Sequence, residues 1–216
     1  MARGDALIKF LLFAGRVFYH LNIEDADNIP TQGACVLAFN HVAPIVDGLT
    51  GLVILQRRRD TVSFGGRALP MGGPLGRLLA RRKLAGKELP LLGAYKARGL
   101  SAPELLKALD HLKTGRPIAL AAEGELEWDG CLQHPLAPGA AWMALRAHVP
   151  VVAVVSKGGY DIMPRWARLP QLTGRVTIRA GKPLYVSDGP VTRVTGDLIA
   201  AASQRIYDEM ATLIAR

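Results

Sequence analysis

The sequence is poor in the residues that mark several protein classes. Its 216 residues include only two cysteines, which form neither a disulfide framework nor a metal-like spacing. Its five histidines form no His-x-x-x-His pair and no cluster with cysteine, so no metal site is predicted. Aromatic residues make up only 6% of the chain, whereas half of it is apolar. Aliphatic side chains must therefore build the core, and the length suits one domain of generous size.

The chain also lacks an uninterrupted apolar run of the roughly 20 residues that a membrane-spanning helix needs. Its most apolar stretch, 6–21, carries Lys9 and Arg16. No small-residue cleavage site follows, which argues against a signal peptide. An apolar helix that carries both cations and aromatic rings is typical of a helix lying in a membrane interface. We therefore predict that residues 1–22 form such an interfacial helix. A buried core helix is the alternative.

Acidic residues are scarce, and the formal net charge is +9. Between residues 57 and 116 there are 14 lysines and arginines against four acids. This excess indicates an anionic partner, which is a lipid surface, a phosphorylated substrate or nucleic acid. The basic runs 57–59 and 81–83 suit anionic lipid or the phosphates of a substrate, or they form an ordinary solvated face. Nucleic acid is not expected, because the chain has no recognised binding motif and few rings among its cations.

The chain alternates apolar strands with helical segments. The run 34–39 and the β-branched run 149–155 predict strands that are buried on both faces. Further strands are predicted at 61–64, 118–122, 175–179 and 183–186, and helices at 47–56, around 75–84, at 101–113, from 138 onward and at 196–215. The alternation predicts an α/β fold, with a mixed, largely covered sheet and flanking helices in a single domain at 23–216.

Asn40, His41 and Asp47 follow the first predicted strand. The ordinary pKa of histidine lies near neutrality, so His41 can accept a proton at working pH. An aspartate that holds one ring nitrogen leaves the other nitrogen basic. No nucleophilic side chain lies nearby, so this pair suits activation of a substrate hydroxyl. The alternative is a strand-to-helix turn in which Asp47 caps the helix and His41 fills space.

The order of four blocks resembles the glycerolipid acyltransferase family, which comprises the 1-acylglycerol-3-phosphate acyltransferases and their relatives. That family carries Asn-His followed by four residues and Asp, then a basic block around an arginine, then Phe-Pro-Glu-Gly, then an apolar Val-Pro strand. The corresponding blocks here are 40–47, 96–99, 121–124 and 149–152. The resemblance covers roughly residues 23–186 and rests on the order and separation of the blocks.

Two departures from the family pattern concern positions that the chemistry uses. Five residues separate His41 from Asp47, where the family has four, and a bulge at 43–44 would keep Asp47 facing His41. The third block lacks Phe and Pro, and Glu125-Leu126-Glu127 follows where the family commonly has Thr-Arg-Ser. An acid in place of a base weakens the prediction of a plain phosphate-bearing acceptor.

The resemblance implies acyl transfer from an acyl thioester, carried on coenzyme A or acyl carrier protein, to a hydroxyl of a lysophospholipid or glycerolipid-type acceptor. His41 would act as the base, and Asp47 would fix its tautomer. Lys96 and Arg98 would clamp a phosphate on the acceptor, or they are solvent-facing loop cations.

The third block adds two candidate substrate-binding residues. Glu123 would hold an acceptor hydroxyl or position Arg98. The alternative is that Glu123 is an exposed acid in a turn and has no role in the site. Gly124 would serve backbone geometry, and Asn40 would support the site rather than take part in the chemistry.

We expect no metal or bound cofactor, since the acyl donor is a co-substrate. The expected partners are the acyl donor, the lipid acceptor and an anionic membrane surface, with the protein peripheral on the cytoplasmic face. The alternatives are a thioesterase or lipid hydrolase that uses the same base on water, a non-catalytic basic protein that binds membrane or nucleic acid, and an inactive relative of the acyltransferases. A serine hydrolase is not indicated, because the run 155–159 lacks the first glycine of a Gly-x-Ser-x-Gly elbow.

Overall fold

The computed structural model of the chain describes residues 2–64 and 102–216. The helices are α1 (Ala2–Tyr19), α2 (Pro44–Arg57), α3 (Ala102–Lys113), α4 (Gly139–Ala147), α5 (Gly159–Ile162) and α6 (Gly196–Ala215). The strands are β1 (Asn22–Glu24), β2 (Val36–Phe39), β3 (Val62–Phe64), β4 (Ile118–Ala121), β5 (Val151–Lys157) and β6 (Thr177–Ala180). The short helices predicted around 75–84 lie outside the described residues.

The six strands form one mixed sheet in the order β1-β6-β5-β2-β4-β3. Strands β5, β2, β4 and β3 run parallel, whereas β6 is antiparallel to β5 and β1 is parallel to β6. The register places Phe39 of β2 between Ala121 of β4 and Val154 of β5. The carboxyl ends of these three strands therefore meet at one edge, which is where α/β sheets bind their ligands.

Helices cover both faces of the sheet, as the apolar runs predicted. At β2, Cys35 and Leu37 pack on the side of α1 and α2, and Val36 and Ala38 pack on the side of α3, α4 and α6. Successive side chains of a strand point to opposite faces, so an unbroken apolar run requires an apolar layer on each side. The predicted α/β class, with its mixed and largely covered sheet, is confirmed.

Helix α1 is apolar on two faces. Its inner face, with Ile8 and Leu12, is buried against α2, and a Cβ added at Gly15 would lie 3.0 Å from the Leu49 side chain. Its outer face exposes large apolar side chains, namely Phe10, Phe13, Val17 and Phe18. Across residues 2–64 and 102–216, no helix has both the length and the hydrophobicity that a bilayer crossing requires. The interfacial role of this helix, and the division of the chain at residue 22, stay predictions.

Two local details differ from the expectations. The predicted strand at 183–186 does not form, and Leu184 makes only an isolated antiparallel bridge to Val151. The pairing extends no further because the chain bends at 186–189, where the Ser187 hydroxyl donates to the Gly189 carbonyl at 2.9 Å. Strand β1 was not predicted, because three residues with two polar side chains give no periodic signal.

The basic run 57–59 is largely engaged with partners inside the chain. Arg58 is 4% exposed and bonds to Asp60 at 2.9 Å and to backbone carbonyls of the loop 30–33. The arginines on either side form ion pairs with Asp27 and Asp5. These contacts favour a structural role for this run over binding of lipid or substrate phosphate. The second run, 81–83, lies outside the described residues.

Candidate active site

His41 and Asp47 are in contact at the carboxyl edge of the sheet. Nδ1 of His41 lies 2.7 Å from Oδ2 of Asp47. His41 follows the end of β2 by two residues, and Asp47 lies in the first turn of α2. The extra residue between them is taken up by extended Ala43 and by a helix that begins at Pro44, earlier than predicted. Proline suits this first helical position because its missing N–H would have no partner there.

The surroundings of His41 strengthen its basicity. Burial acts to lower the pKa of His41, but the hydrogen bond to Asp47 and the charges of Asp47 and Glu123 outweigh it and hold that pKa above its ordinary value. Burial raises the pKa of Asp47, and the hydrogen bond to His41 acts against this rise. Nε2 of His41 has no hydrogen-bond partner among residues 2–64 and 102–216. With Nδ1–H donating to Asp47, Nε2 is the nitrogen left to take a substrate proton.

Glu123 fixes the main chain at His41. Its carboxylate accepts a hydrogen bond from the His41 N–H at 2.5 Å and another from the Gln133 N–H at 2.8 Å. The side chain is buried, and burial raises the pKa of Glu123 more than these hydrogen bonds lower it. The reading of Glu123 as an exposed turn acid is therefore wrong. Its proposed contact with Arg98 involves a residue outside the described ranges, and its binding of substrate stays a prediction.

Gly124 has a backbone conformation that fits the geometric role predicted for it. Its φ is +80°, a value that L side chains rarely adopt, and an added Cβ would lie 3.0 Å from the Cβ of Ala137. Glycine is thus required here for the turn that follows β4 and delivers Glu123 to His41.

Asn40 ties the ends of β2 and β5 together. Its side-chain amide donates to the Ser156 carbonyl at 2.9 Å, and its side-chain oxygen accepts from the Ser156 N–H at 2.7 Å. Both residues are buried, so these groups have no access to water as an alternative partner. The contacts agree with the predicted supporting role directly before His41.

Glu127 is a site residue that the sequence marked only as a departure from the family pattern and did not place in the site. Its N–H donates to the His41 carbonyl at 2.9 Å, its side chain is 1% exposed, and Oε1 has no hydrogen-bond partner in the described part of the chain. Burial raises the pKa of Glu127 to about 8, and the charges of Glu123, Asp47 and Asp129 add to this rise. The carboxyl therefore carries a proton at neutral pH, since a buried unpaired charge would be costly. Nothing in the local sequence signals this burial.

Arg165 is a second feature that sequence reasoning missed. Its guanidinium lies over the Trp128 ring, 3.6 Å from the centroid, and donates to the Leu126 carbonyl at 2.9 Å. It also pairs with Glu125 at 3.3 Å, and its charge acts to lower the pKa of His41. A cation from the segment after α5 thus contacts the 125–128 loop.

Two predicted substrate-binding residues cannot be placed in the site. Lys96 and Arg98 lie outside the described residues, so their phosphate-binding role stays a prediction.

In the part of the chain that the structure describes, no group of three or more His, Cys, Asp or Glu side chains is placed to hold a metal ion. Cys35 is fully buried, and burial raises the pKa of its thiol to about 11. This thiol is a core side chain and not an activated nucleophile.

Comparisons with known proteins agree with this arrangement. A family model described as Acyltransferase matches residues 20–157, which include His41, Asp47 and Glu123. Among solved structures, the 1-acyl-sn-glycerophosphate acyltransferase PlsC from Thermotoga maritima is similar, with a TM-score of 0.62 and 18% identity over 100% of this chain and 78% of that chain. A sequence search of curated proteins gave no significant match. The chain belongs to the Acyltransferase family and has the fold of a glycerolipid acyltransferase.

Proposed function

We propose that the protein transfers a fatty acyl group from an acyl thioester to a hydroxyl of a lysophospholipid or glycerolipid-type acceptor. Its family gives the reaction class, which is acyl transfer. The observation that carries the proposal is the 2.7 Å contact between Nδ1 of His41 and Oδ2 of Asp47. This contact orients an imidazole whose other nitrogen is available as a base.

The reaction needs one proton carrier. Nε2 of His41 takes the proton of the acceptor hydroxyl as the hydroxyl oxygen attacks the thioester carbonyl carbon. When the tetrahedral intermediate collapses, the carbon–sulfur bond breaks and the departing sulfur takes the proton from the imidazolium. Asp47 keeps Nδ1 protonated and stabilises the imidazolium as it forms. General-base help of this kind contributes about 10²–10⁴ in rate, and no acyl-enzyme is needed because the acceptor supplies the nucleophile.

Glu123 acts on the acceptor in two ways. Each of its carboxylate oxygens accepts one backbone N–H, which fixes the position of His41, and its remaining lone pairs can accept a hydrogen bond from an acceptor hydroxyl. Lys96 and Arg98 bind a phosphate of the acceptor, a role supported by the excess of cations between residues 57 and 116. The donor is carried on coenzyme A or acyl carrier protein, and neither a metal nor a bound cofactor takes part.

The reaction takes place at a membrane surface, because its acceptor is a membrane lipid. The exposed rings on the outer face of α1 support peripheral attachment. Lys9 and Arg16 on the same helix are exposed and complement the anionic lipids of a cytoplasmic leaflet.

The test is acyl transfer from labelled acyl-CoA or acyl carrier protein to a panel of lysolipids in vesicles. His134→Ala is a matched control for His41→Ala, because the His134 ring packs against Tyr207 and bonds to Gln204 on α6. We expect acceptor-dependent transfer by wild type and by the control, and a loss of about 10²-fold or more in His41→Ala. Release of free fatty acid without any dependence on acceptor would instead identify a hydrolase. Absence of both products with wild type would identify an inactive relative.

A further inference from the structure

Two exposed apolar surfaces lie next to each other in this structure. The first is the outer face of α1, defined by Phe10, Phe13, Val17 and Phe18. The second is the segment 163–175 between α5 and β6, in which Trp166, Leu169 and Leu172 are 64%, 81% and 82% exposed. Large apolar side chains left so open and so close together mark a surface that meets another apolar phase.

Hydrogen bonds join the segment 163–175 to the end of α1. The Tyr19 hydroxyl donates to the Gln171 carbonyl at 3.3 Å, and the Gly174 N–H donates to the Phe18 carbonyl at 3.3 Å. The segment is also held internally, since the Gln171 N–H donates to the Ile162 carbonyl at 2.8 Å. The segment is therefore held in place against the end of α1, next to the exposed outer face of that helix.

The other end of the segment reaches the candidate active site. Trp166 packs edge-on against Tyr160, with ring centroids 5.5 Å apart. Its neighbour Arg165 lies over Trp128 and bonds to the carbonyl of Leu126, in the loop that contacts His41. The exposed surface thus extends from α1 to the loop beside the proposed base.

The charges on the segment 163–175 and on the stretch 6–19 of α1 are all positive, although Arg165 pairs with Glu125 of the neighbouring loop. The segment 163–175 contains Arg165, Arg168 and Arg175 and no acid, and the stretch 6–19 of α1 contains two cations and no acid. Arg168 and Arg175 are exposed. Aromatic and aliphatic side chains flanked by cations complement the interface of an anionic bilayer, where rings lie at headgroup level and cations meet lipid phosphates.

We propose that the segment 163–175 is a second membrane-insertion element, which together with the outer face of α1 seats the protein on an anionic lipid bilayer. Trp166, Leu169 and Leu172 enter the interface, and the arginines contact the headgroups. This inference rests on the proposed function in one respect. The bound protein would hold the 125–128 loop and His41 close to the bilayer, from which the proposed lipid acceptor arrives. Binding itself is measured without turnover.

The binding test is co-sedimentation of the full chain with vesicles of phosphatidylcholine, with and without phosphatidylglycerol. The test variant is the double substitution Leu169→Asp and Leu172→Asp. The matched control is Leu106→Asp and Leu198→Asp, since these leucines are also exposed but belong to α3 and α6, on the opposite side of the sheet. We expect the test variant to lose at least about tenfold in partitioning to anionic vesicles, and the control to stay within about twofold of wild type.

Trp166 gives a second, independent readout. Trp128 is also exposed and lies under Arg165, so the measurement uses the variant Trp128→Phe as its starting protein. Lipids with brominated acyl chains should quench part of its fluorescence, and adding Trp166→Phe should remove that quenchable part. Unchanged partitioning of a correctly folded test variant, or quenching that persists when Trp166→Phe is added, would overturn the proposal. A wild-type dimer in light scattering that the test variant converts to monomer would assign the surface to a second copy of the chain instead.

The outcome for binding is separable from the outcome for chemistry. With a short-chain, water-soluble acceptor, the test variant should transfer acyl groups at the wild-type rate, because the substituted leucines lie outside the catalytic pair. Wild type that binds vesicles through this surface but transfers no acyl group would refute the proposed function and leave the membrane surface standing.

Discussion

The carboxylate of Glu123 and the N–H of His41 form a 2.5 Å hydrogen bond between the ends of two neighbouring strands. Glu123 follows β4 and His41 follows β2, and the parallel register of these strands brings their carboxyl ends together. The proposed base is therefore held twice, by Asp47 at its ring and by Glu123 at its main chain. A buried charged acceptor is a strong positioning device, because hydrogen bonds to charged groups are stronger than neutral ones.

Glu123→Gln should lower both the stability of the fold and the pKa of His41. The amide keeps the shape of the side chain but has one acceptor oxygen for two N–H groups, so we expect a loss of about 1.5–3 kcal/mol in the free energy of unfolding. The lost negative charge also lowers the pKa of His41, which shifts the acid limb of kcat/KM to lower pH. Glu125→Gln is the control, because Glu125 is an exposed partner of Arg165 and should change stability by less than about 1 kcal/mol. Equal behaviour of the two variants would remove Glu123 from its positioning role.

Asp47→Asn tests the orienting partner directly. The charge and hydrogen bond of Asp47 raise the pKa of His41, so their loss should lower it and move the acid limb of the pH–rate profile downward. Transfer should fall, but by less than in His41→Ala, since the base itself remains. The check is kcat/KM against pH for wild type and both variants. An unmoved acid limb would contradict the role given to Asp47.

Glu127 should make stability depend on pH. Its folded-state pKa of about 8 lies above the ordinary value of 4.5, so the folded chain binds this proton more tightly than the unfolded chain does. The resulting stability is fully present below the unfolded value and is lost as pH rises through the folded one. In urea unfolding between about pH 5 and 9, Glu127→Gln should therefore lose less stability with rising pH than wild type. Parallel curves for the two proteins would count against a buried, protonated Glu127.

Asn40→Ala should destabilise the fold by leaving the buried Ser156 N–H and carbonyl without their partners. Each unsatisfied buried group costs about 1–3 kcal/mol. Ser156→Ala is the matched control, because it removes only the 3.3 Å contact of the hydroxyl and keeps both main-chain bonds. Denaturant unfolding of the two variants gives the comparison. A loss in Ser156→Ala as large as in Asn40→Ala would contradict the account of Asn40.

The parts of the site that were predictable depend on short stretches of chain. His41 and Asp47 are six positions apart, and the strand-then-helix pattern around them is local, so their contact was expected before the structure. Helix α6 was predicted with its observed bounds, because its apolar residues repeat at helical spacing. The buried strands β2 and β5 were likewise evident from their unbroken apolar runs.

The parts that were missed depend on how distant segments come together. Arg165 meets the 125–128 loop only because β4 and β5 both flank β2, an order that periodicity does not specify. Glu127 looks like an exposed loop acid in sequence, but its side chain is buried in a loop whose main chain bonds to the distant His41 carbonyl. The strand predicted at 183–186 reduces to one bridge between Leu184 and Val151, because the chain bends away from β5 at 186–189.

The most direct test of the central claim is the acyl-transfer rate of His41→Ala, measured alongside its circular dichroism spectrum and vesicle binding. The account predicts a rate at least about 10²-fold below wild type, with the spectrum and the binding unchanged. Transfer by this variant at the wild-type rate would contradict the assignment of His41 as the base.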